Sequence, residues 1–492
     1  MTHKMTPPVL TLADLNLQLI APELWMVLLT CVVLTLDFAF PKIPKPQLGY
    51  FSIAGMALIT FQLIGYVIDG TGGTSFGTMF ILDPLALFFK IFILLSTILM
   101  ILGSINAVEK IPYFRGEYYF LLLFAALGMM FMVSANDFLS LFITLEFSTF
   151  GFYILVAYLR DDLKSNEAAI KFFILGALSA GLIAYGVSLI YGSTGTILFD
   201  RIAQNPPEAT LGLVIGLLFV FVGIGYKLGA VPFHTWIPDV YQGAPTTVTA
   251  YLSVVPKAAT FGIFLRVVFG AFLGLKADWQ WMIVTISILS MTYGNLTAIA
   301  QKNMKRLLAY SGIAQIGTIL IGMAAGTQMG IESILFYILT YLFANIGAFI
   351  VVIIFQNLTD KDEIEDFAGL NRRSPLMAFA MLVFLLSLAG VPPLAGFIGK
   401  VYVVAAAVNQ GLILLVSVAL INMVISFYYY LIVVKKIYSV EPTETTPIHI
   451  PAPLKLAIYI SIAGVILLGV WPKPFINAAI AATSVFTDLV LR

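Results

Sequence analysis

Six ionisable side chains stand inside or beside long apolar runs of this 492-residue chain: Glu146, Lys171, Lys227, Lys257, Lys400 and His234. Three of them belong to one stretch, Tyr226–Lys257, which reads YKLGAVPFHTWIPDVYQGAPTTVTAYLSVVPK and also carries Pro232, Pro238, Pro245 and Pro256. Glu146 falls about nine residues into the run that opens near 137, roughly 14 Å deep at 1.5 Å per helical residue. A charge at such a depth costs about 2.5–3.5 kcal/mol if it faces hydrocarbon. The set therefore has to turn inward, toward partners or water. Amines and a carboxylate that exchange partners in a low-dielectric interior can take up and release protons, which is the chemistry of a proton relay.

The prolines supply the second half of that reasoning. Pro232 cannot donate to the carbonyl of Leu228, beside Lys227. Pro256 frees the carbonyl of Leu252, close to Lys257, and Pro392 and Pro393 free those of Leu388 and Ala389, ahead of Lys400. Unpaired backbone at membrane depth is tolerated where it lines a wet cavity or finds other partners. A lone buried Glu–Lys pair commonly does no more than fix packing, but three lysines on separate helices exceed what one packing pair needs. The remaining groups read more simply. Arg266 is expected to snorkel to a membrane surface. Lys171 fits either a relay or a snorkelling side chain, and Asp37 and Asp83 fit caps or turns. His234 fits a proton carrier or a satisfied polar group at a helix break, and Lys90 has no assigned role.

The elements that must position these groups follow from composition. The chain is 60% hydrophobic and only 10% charged, where soluble domains carry about 25%. Apolar runs of roughly 20 residues recur, each able to cross a bilayer. The expectation is an all-α polytopic membrane protein of about 14 transmembrane helices, without strands. Spans seven (211–231) and twelve (375–408) are expected to be broken by proline. These two breaks suggest two inverted five-helix repeats, a plan that places binding groups near the midplane. The divisions are an N-terminal three-helix segment at 1–117, repeats at 118–273 and 274–438, and a C-terminal helix and tail at 439–492. One set of loops holds fourteen Lys and Arg, including Lys110, Arg160, Lys305 and Arg372. The other set, with both termini, holds five, including Lys4, Lys276 and Arg492. The basic set should face the cytoplasm and both ends the outside.

A net charge of +1 gives no reason to expect a nucleic-acid partner. The single Cys31 excludes an internal disulfide, and His3, His234 and His449 are too scattered for a metal cluster. No cleavable signal peptide is evident ahead of the first apolar run. No glycine-rich phosphate loop, iron–sulfur cysteine set or Ser/His/Asp arrangement is present, so any redox chemistry belongs to another chain.

The segments YKLGAVPFHTWIPDVYQGAPTTVTAYLSVVPKAA, NMKRLLAYSGIAQIG and LSLAGVPPLAGFIGK closely resemble the antiporter-like membrane subunits of respiratory complex I. The resemblance covers nearly the whole chain and is most similar to the N-type branch. Fourteen spans without a long C-terminal extension argue against the L type. Lys400 argues against the M type, which has glutamate there. What the resemblance implies is a proton-translocating subunit of an NADH–quinone oxidoreductase. It would have no cofactor of its own; NADH or another donor, flavin, iron–sulfur clusters and quinone would sit on partner subunits. Implied partners are L-, M-, K- and J-type chains and the lipid bilayer, in the cell inner membrane or, in a photosynthetic cell, the thylakoid. By the same resemblance Glu146 and Lys227 form the family's ion pair, and Lys257 is its central lysine. Lys400 ends the relay, and Lys171 is the lysine after the loop that follows the glutamate. Gln315 departs from it, standing where many N-type chains have histidine. An Mrp-type cation/proton antiporter component and a membrane scaffold are the alternatives.

Overall fold

Hydrocarbon offers a backbone no hydrogen-bond partner, so each apolar run closes its own bonds as a helix. The computed structural model describes residues 15–487 except 112, 114, 206, 207, 443 and 445. His3, Lys4 and Arg492 lie outside the described residues. The helices are α1 (Ala21–Ala39), α2 (Lys45–Asp69), α3 (Pro84–Val108), α4 (Arg115–Val133), α5 (Phe138–Val156) and α6 (Leu163–Thr194). The seventh span is split into α7a (Leu211–Leu228) and α7b (Trp236–Gly243). Then come α8 (Thr246–Leu265), α9 (Lys276–Ile299), α10 (Met304–Ala325) and α11 (Gln328–Thr359). The split twelfth span, α12a (Pro375–Ala389) and α12b (Ala395–Asn409), precedes α13 (Ile413–Ser439) and α14 (Ala452–Val470). Among the described residues 13 helices are long and apolar enough to cross a membrane, and the two halves of α12 together make one more.

Helix ends fall where capping chemistry puts them. Asp83, Asp137, Asn303 and Thr327 accept backbone N–H bonds at the starts of α3, α5, α10 and α11. One departure from an all-helical reading is a small antiparallel hairpin, Gly73–Ser75 with Phe80–Leu82, in the link between α2 and α3. It hydrogen-bonds onward to Ser134 at the end of α4, which pairs its edge at a loop, where strand geometry costs nothing.

Helices α8, α10 and α11 form the interior, and α10 is enclosed along its whole apolar window. Helices α2 and α6 present Leu58, Phe61, Ile68 and Leu178 outward, as lipid-facing surfaces do. Both expected breaks are present. Helix α7a ends at Gly229, whose φ of +71° suits glycine, and a cis Val231–Pro232 bond follows. Helix α12a ends at Gly390 with φ of +89°, followed by a cis Pro392–Pro393 bond. The freed ends find partners: Trp236 Nε1 donates to Tyr226 O at 3.0 Å, and the Gly396 N–H donates to Ser387 Oγ at 3.2 Å.

Two ion pairs staple the N-terminal helices. Glu23 on α1 meets Lys90 on α3 at 2.6 Å, with both side chains fully enclosed. Arg266, expected to snorkel, does not. Its guanidinium lies buried at the end of α8, gripping Asp83 by two bonds of 2.6 and 2.7 Å and donating to Val133 O. A bidentate carboxylate neutralises the cation where it stands, removing the need to reach a surface. Asp83 also caps α3, as expected, and Asp37 pairs with Lys45 across the α1–α2 turn.

Lys90→Met alone leaves Glu23 without its counter-charge and should cost about 3–5 kcal/mol. The double variant Glu23→Gln/Lys90→Met should keep most of the stability. Unfolding of the purified chain in detergent measures this, and equal stability of the single variant and the parent would count against it. At Gly396 an added Cβ would lie 1.8 Å from Ser387 O. Gly396→Ala should therefore sharply lower the yield of folded chain, whereas Gly181→Ala, with nothing within 4 Å of its Cβ, should be tolerated.

Candidate functional site

The packing turns four of the sequence-selected groups inward: Glu146 and Lys227 as a mostly buried pair, Lys257 and Lys400 as buried amines. Lys227, the next-to-last residue of α7a, donates to Glu146 of α5 at 2.9 Å and to Thr149 Oγ1 at 3.0 Å. Thr149 donates in turn to Leu145 O, which fixes its oxygen toward the amine. Beside this pair is a cavity of about 30 Å³, bordered by Lys227, Thr149, Leu252, Pro256 and Thr260. That volume holds about one water. Most of its wall is apolar, from Met132, Leu145, Phe152, Phe172 and Trp236, with Lys227, Ser148, Thr149 and Thr260 as its polar members, and it reaches Pro256 on the helix that carries Lys257.

Lys257 sits inside α8, 1% exposed, and its Nζ has no hydrogen-bond partner. The ring of Tyr241 lies 5.6 Å from it. Gly312 of α10 leaves the remaining room: a Cβ there would lie 3.6 Å from Lys257 Nζ and 3.0 Å from Tyr341 Oη. Lys400 begins its turn in α12b and reaches back across the break, donating to Ala389 O at 2.9 Å. The neighbouring Leu388 O accepts from Gln315 Nε2 at 3.0 Å. The two carbonyls expected to be freed by Pro392 and Pro393 are thus the two that hold the polar side chains. A space of about 10 Å³ lies between Lys400 and Gln315, bordered also by Asn295, Asn422 and Ser426. Gln315 is fully occupied, accepting from Tyr337 Oη at 2.6 Å as well as donating to Tyr430 Oη at 3.3 Å.

Lys171 and His234 stand apart from these four. Lys171 is 41% exposed on α6, paired with Glu167 at 2.7 Å and with Asp239 of α7b at 2.8 Å. Asp239 also receives Arg306 at 3.0 Å, so Lys171 belongs to a charged cluster of the basic face. His234 lies in the break of the seventh span, edge-on to Tyr293 of α9 with centroids 4.5 Å apart, and its Nδ1 has no hydrogen-bond partner.

Two groups of importance were not marked by sequence reasoning. Glu23 follows Pro22 in a first helical turn and passes for an ordinary first-turn acid. Lys90, deep in an apolar run, was the sign that a counter-charge had to exist. Lys305 was counted with the loop cations. It is buried at the start of α10, donating to Gln242 O at 2.7 Å. It stands at the wall of a cavity of about 460 Å³, which opens among Asp162, Lys164, Thr247 and Asp362 on the basic face.

Comparison with known proteins places the chain. Residues 135–426 match the family described as NADH:quinone oxidoreductase/Mrp antiporter, TM. The chain is 41% identical over 481 residues to NADH-quinone oxidoreductase subunit N of Desulforamulus reducens, covering 96% of this chain and 99% of that one. It is similar to a chain of respiratory complex I from Thermus thermophilus, with 31% identity, a TM-score of 0.80, and coverage of 94% and 99%. A chain of the Mrp complex from Dietzia sp. shares the fold, with a TM-score of 0.86 at 20% identity and coverage of 96% and 98%. The chain belongs to the NADH:quinone oxidoreductase/Mrp antiporter transmembrane family, on its NADH-quinone oxidoreductase subunit N branch.

Proposed function

We propose that this chain is a proton-translocating membrane subunit of an NADH–quinone oxidoreductase of complex I type. The observation that carries this is the contrast among the four inward-turned groups. Glu146 and Lys227 are ion-paired at 2.9 Å, while Lys257 and Lys400 are buried amines held by no carboxylate. Closing the Glu146–Lys227 pair keeps positive charge on Lys227. Opening it leaves the Lys227 ammonium without its counter-charge in a low-dielectric site, which drives its proton to the next amine. Lys257 receives it, and Lys400 is the last acceptor before release. Quinone reduction on other subunits supplies the energy by altering the pairing.

The cavity at Lys305 supports entry from the basic face, with Lys171, Asp239 and Arg306 as the charged rim beside it. His234 faces α9 and is assigned to the break rather than to the relay. The basic face is the cytoplasmic one by the bias of Lys and Arg, which puts both termini outside, in the cell inner membrane. NADH or another donor, flavin, iron–sulfur clusters and quinone belong to partner subunits, and L-, M-, K- and J-type chains are the neighbours. The two inverted repeats, 118–273 and 274–438, are supported by packing that recurs in order. Helices α4–α5, α5–α6 and α6–α7a pack as do α9–α10, α10–α11 and α11–α12a, and α6 and α11 each have 32 residues.

The test is the proton-to-electron ratio of the assembled complex in sealed vesicles. Lys257→Met and Glu146→Ala should assemble yet lower translocation through this chain by roughly 100-fold, the scale on which a positioned proton-transfer group acts. A wild-type ratio in an assembled Lys257→Met complex would overturn the assignment. Loss of assembly itself in both variants would favour a scaffold, and sodium-dependent transport without quinone reduction would favour an Mrp-type antiporter.

A further inference from the structure

The relay proposed above has a gap. Among the described residues no third amine or carboxylate is seen to bond either Lys257 on α8 or Lys400 on α12b. The space between the two is occupied instead by one stripe of α11. Tyr337, Tyr341 and Asn345 stand at four-residue spacing, on one face of the helix, and all three are buried. Asn345 Nδ2 donates to Ser253 Oγ at 2.7 Å, one turn before Lys257, and this bond registers α11 against α8. Tyr341 comes next. Its hydroxyl has no hydrogen-bond partner, and neither has the Lys257 amine. Both converge on the vacant side of Gly312. An amine and a hydroxyl that are each buried and unbonded carry the full desolvation cost of a polar group. The glycine leaves room between them for the hydrogen bond, direct or through a water, that transfer requires. Tyr337 follows one turn on. Its hydroxyl donates to Gln315 Oε1 at 2.6 Å, and its ring packs on Gly399, the residue before Lys400. Gln315 in turn borders the small space that Lys400 enters and binds the carbonyl next to the one Lys400 uses.

We propose that Tyr341 and Tyr337 carry the proton between Lys257 and Lys400, and that Gln315 is the positioning residue that aims Tyr337 into the break of the twelfth span. This rests on the relay proposed above and assigns the members of its unoccupied middle. Each hydroxyl accepts a proton on its oxygen as it releases its own O–H proton. For the last step Tyr337 turns its O–H from Gln315 Oε1 to a water in the space beside Gln315, and that water gives a proton to the Lys400 amine. The ammonium of Lys257 becomes an amine, the amine of Lys400 becomes an ammonium, and nothing is oxidised or reduced.

The experiment uses the assembled complex in vesicles and reads proton translocation alongside quinone reduction. Tyr341→Phe and Tyr337→Phe each remove one oxygen and should lower translocation through this chain by roughly 10-fold, and the pair by roughly 100-fold. Gln315→Met should act like the pair, whereas Gln315→Asn, which keeps a neutral amide against Tyr337 and Leu388 O, should restore part of the activity; a purely structural role would not separate the two. Gly312→Ala removes no polar group but sets a methyl between Lys257 and Tyr341, and should slow transfer in a normally assembled complex. Wild-type translocation by the Tyr341→Phe/Tyr337→Phe pair and by Gly312→Ala, in a preparation where Lys257→Met is inactive, would overturn this assignment and leave the relay standing. Wild-type translocation by Lys257→Met would remove the relay itself.

Discussion

An ammonium in the middle of a bilayer has to be given either a counter-charge or a polar surrounding, because hydrocarbon supplies neither. Nearly every irregular feature of this chain answers that demand. The helix breaks at Gly229 and Gly390 would be defects in a soluble bundle. Here the break at Gly390 turns backbone carbonyls out of the helical ladder at the depth where a lysine needs an acceptor. Lys400 is the clearest instance: its amine lies on Ala389 O, one of the carbonyls its own span gave up. The glycines next to these sites follow from the same demand. Gly390 leaves room for the Lys400 chain to double back, and Gly312 leaves room for the Lys257 amine.

The buried charges fall into two kinds, and the difference decides what each can do. Glu23–Lys90 and Asp83–Arg266 are closed pairs, short and sealed, with the guanidinium gripped bidentately. Such a pair is costly to break from either side, so it holds helices in place and holds its charge in place too. Lys257 and Lys400 have no such partner. Lys400 rests on a backbone carbonyl and Lys257 on the ring of Tyr241, so neither has its charge locked by a carboxylate. Glu146–Lys227 is intermediate: paired, yet bordering a cavity the size of a water. That border is where a change of pairing can be felt by the next amine. A bundle built only from the first kind would be rigid and silent; one built only from the second would not hold its register.

Much of this was legible in the sequence because it is local. Apolar runs give spans, and a proline names the carbonyl four residues back. The acceptors Leu388 and Ala389 could therefore be named before their donors were known. What was not legible is long-range pairing. Arg266 and Asp83 are 183 positions apart, and nothing near either one announces the other, so Arg266 read as a snorkelling side chain. Glu23 was hidden by its place in a first turn. Lys305 was hidden by its company of loop cations, although it is folded inward, onto the backbone of Gln242. Lys171 shows the converse. Its position in the sequence matches a relay lysine, but its salt bridges bind it to the charged rim with Asp239.

The second break also explains why a neutral amide can stand at the centre of a proton-handling site. A carboxylate at position 315 would pair with Lys400 and fix its charge, making the final acceptor into another closed pair. An apolar residue would strand Tyr337 and Leu388 O without partners at a depth where no lipid could replace them. Glutamine satisfies both: its oxygen takes the tyrosine hydroxyl and its nitrogen serves the freed carbonyl. The site is thereby fully bonded without being charged. The amine across the small space stays free to bind a proton or release it, and the break that exposes the carbonyls is kept from collapsing into a continuous helix.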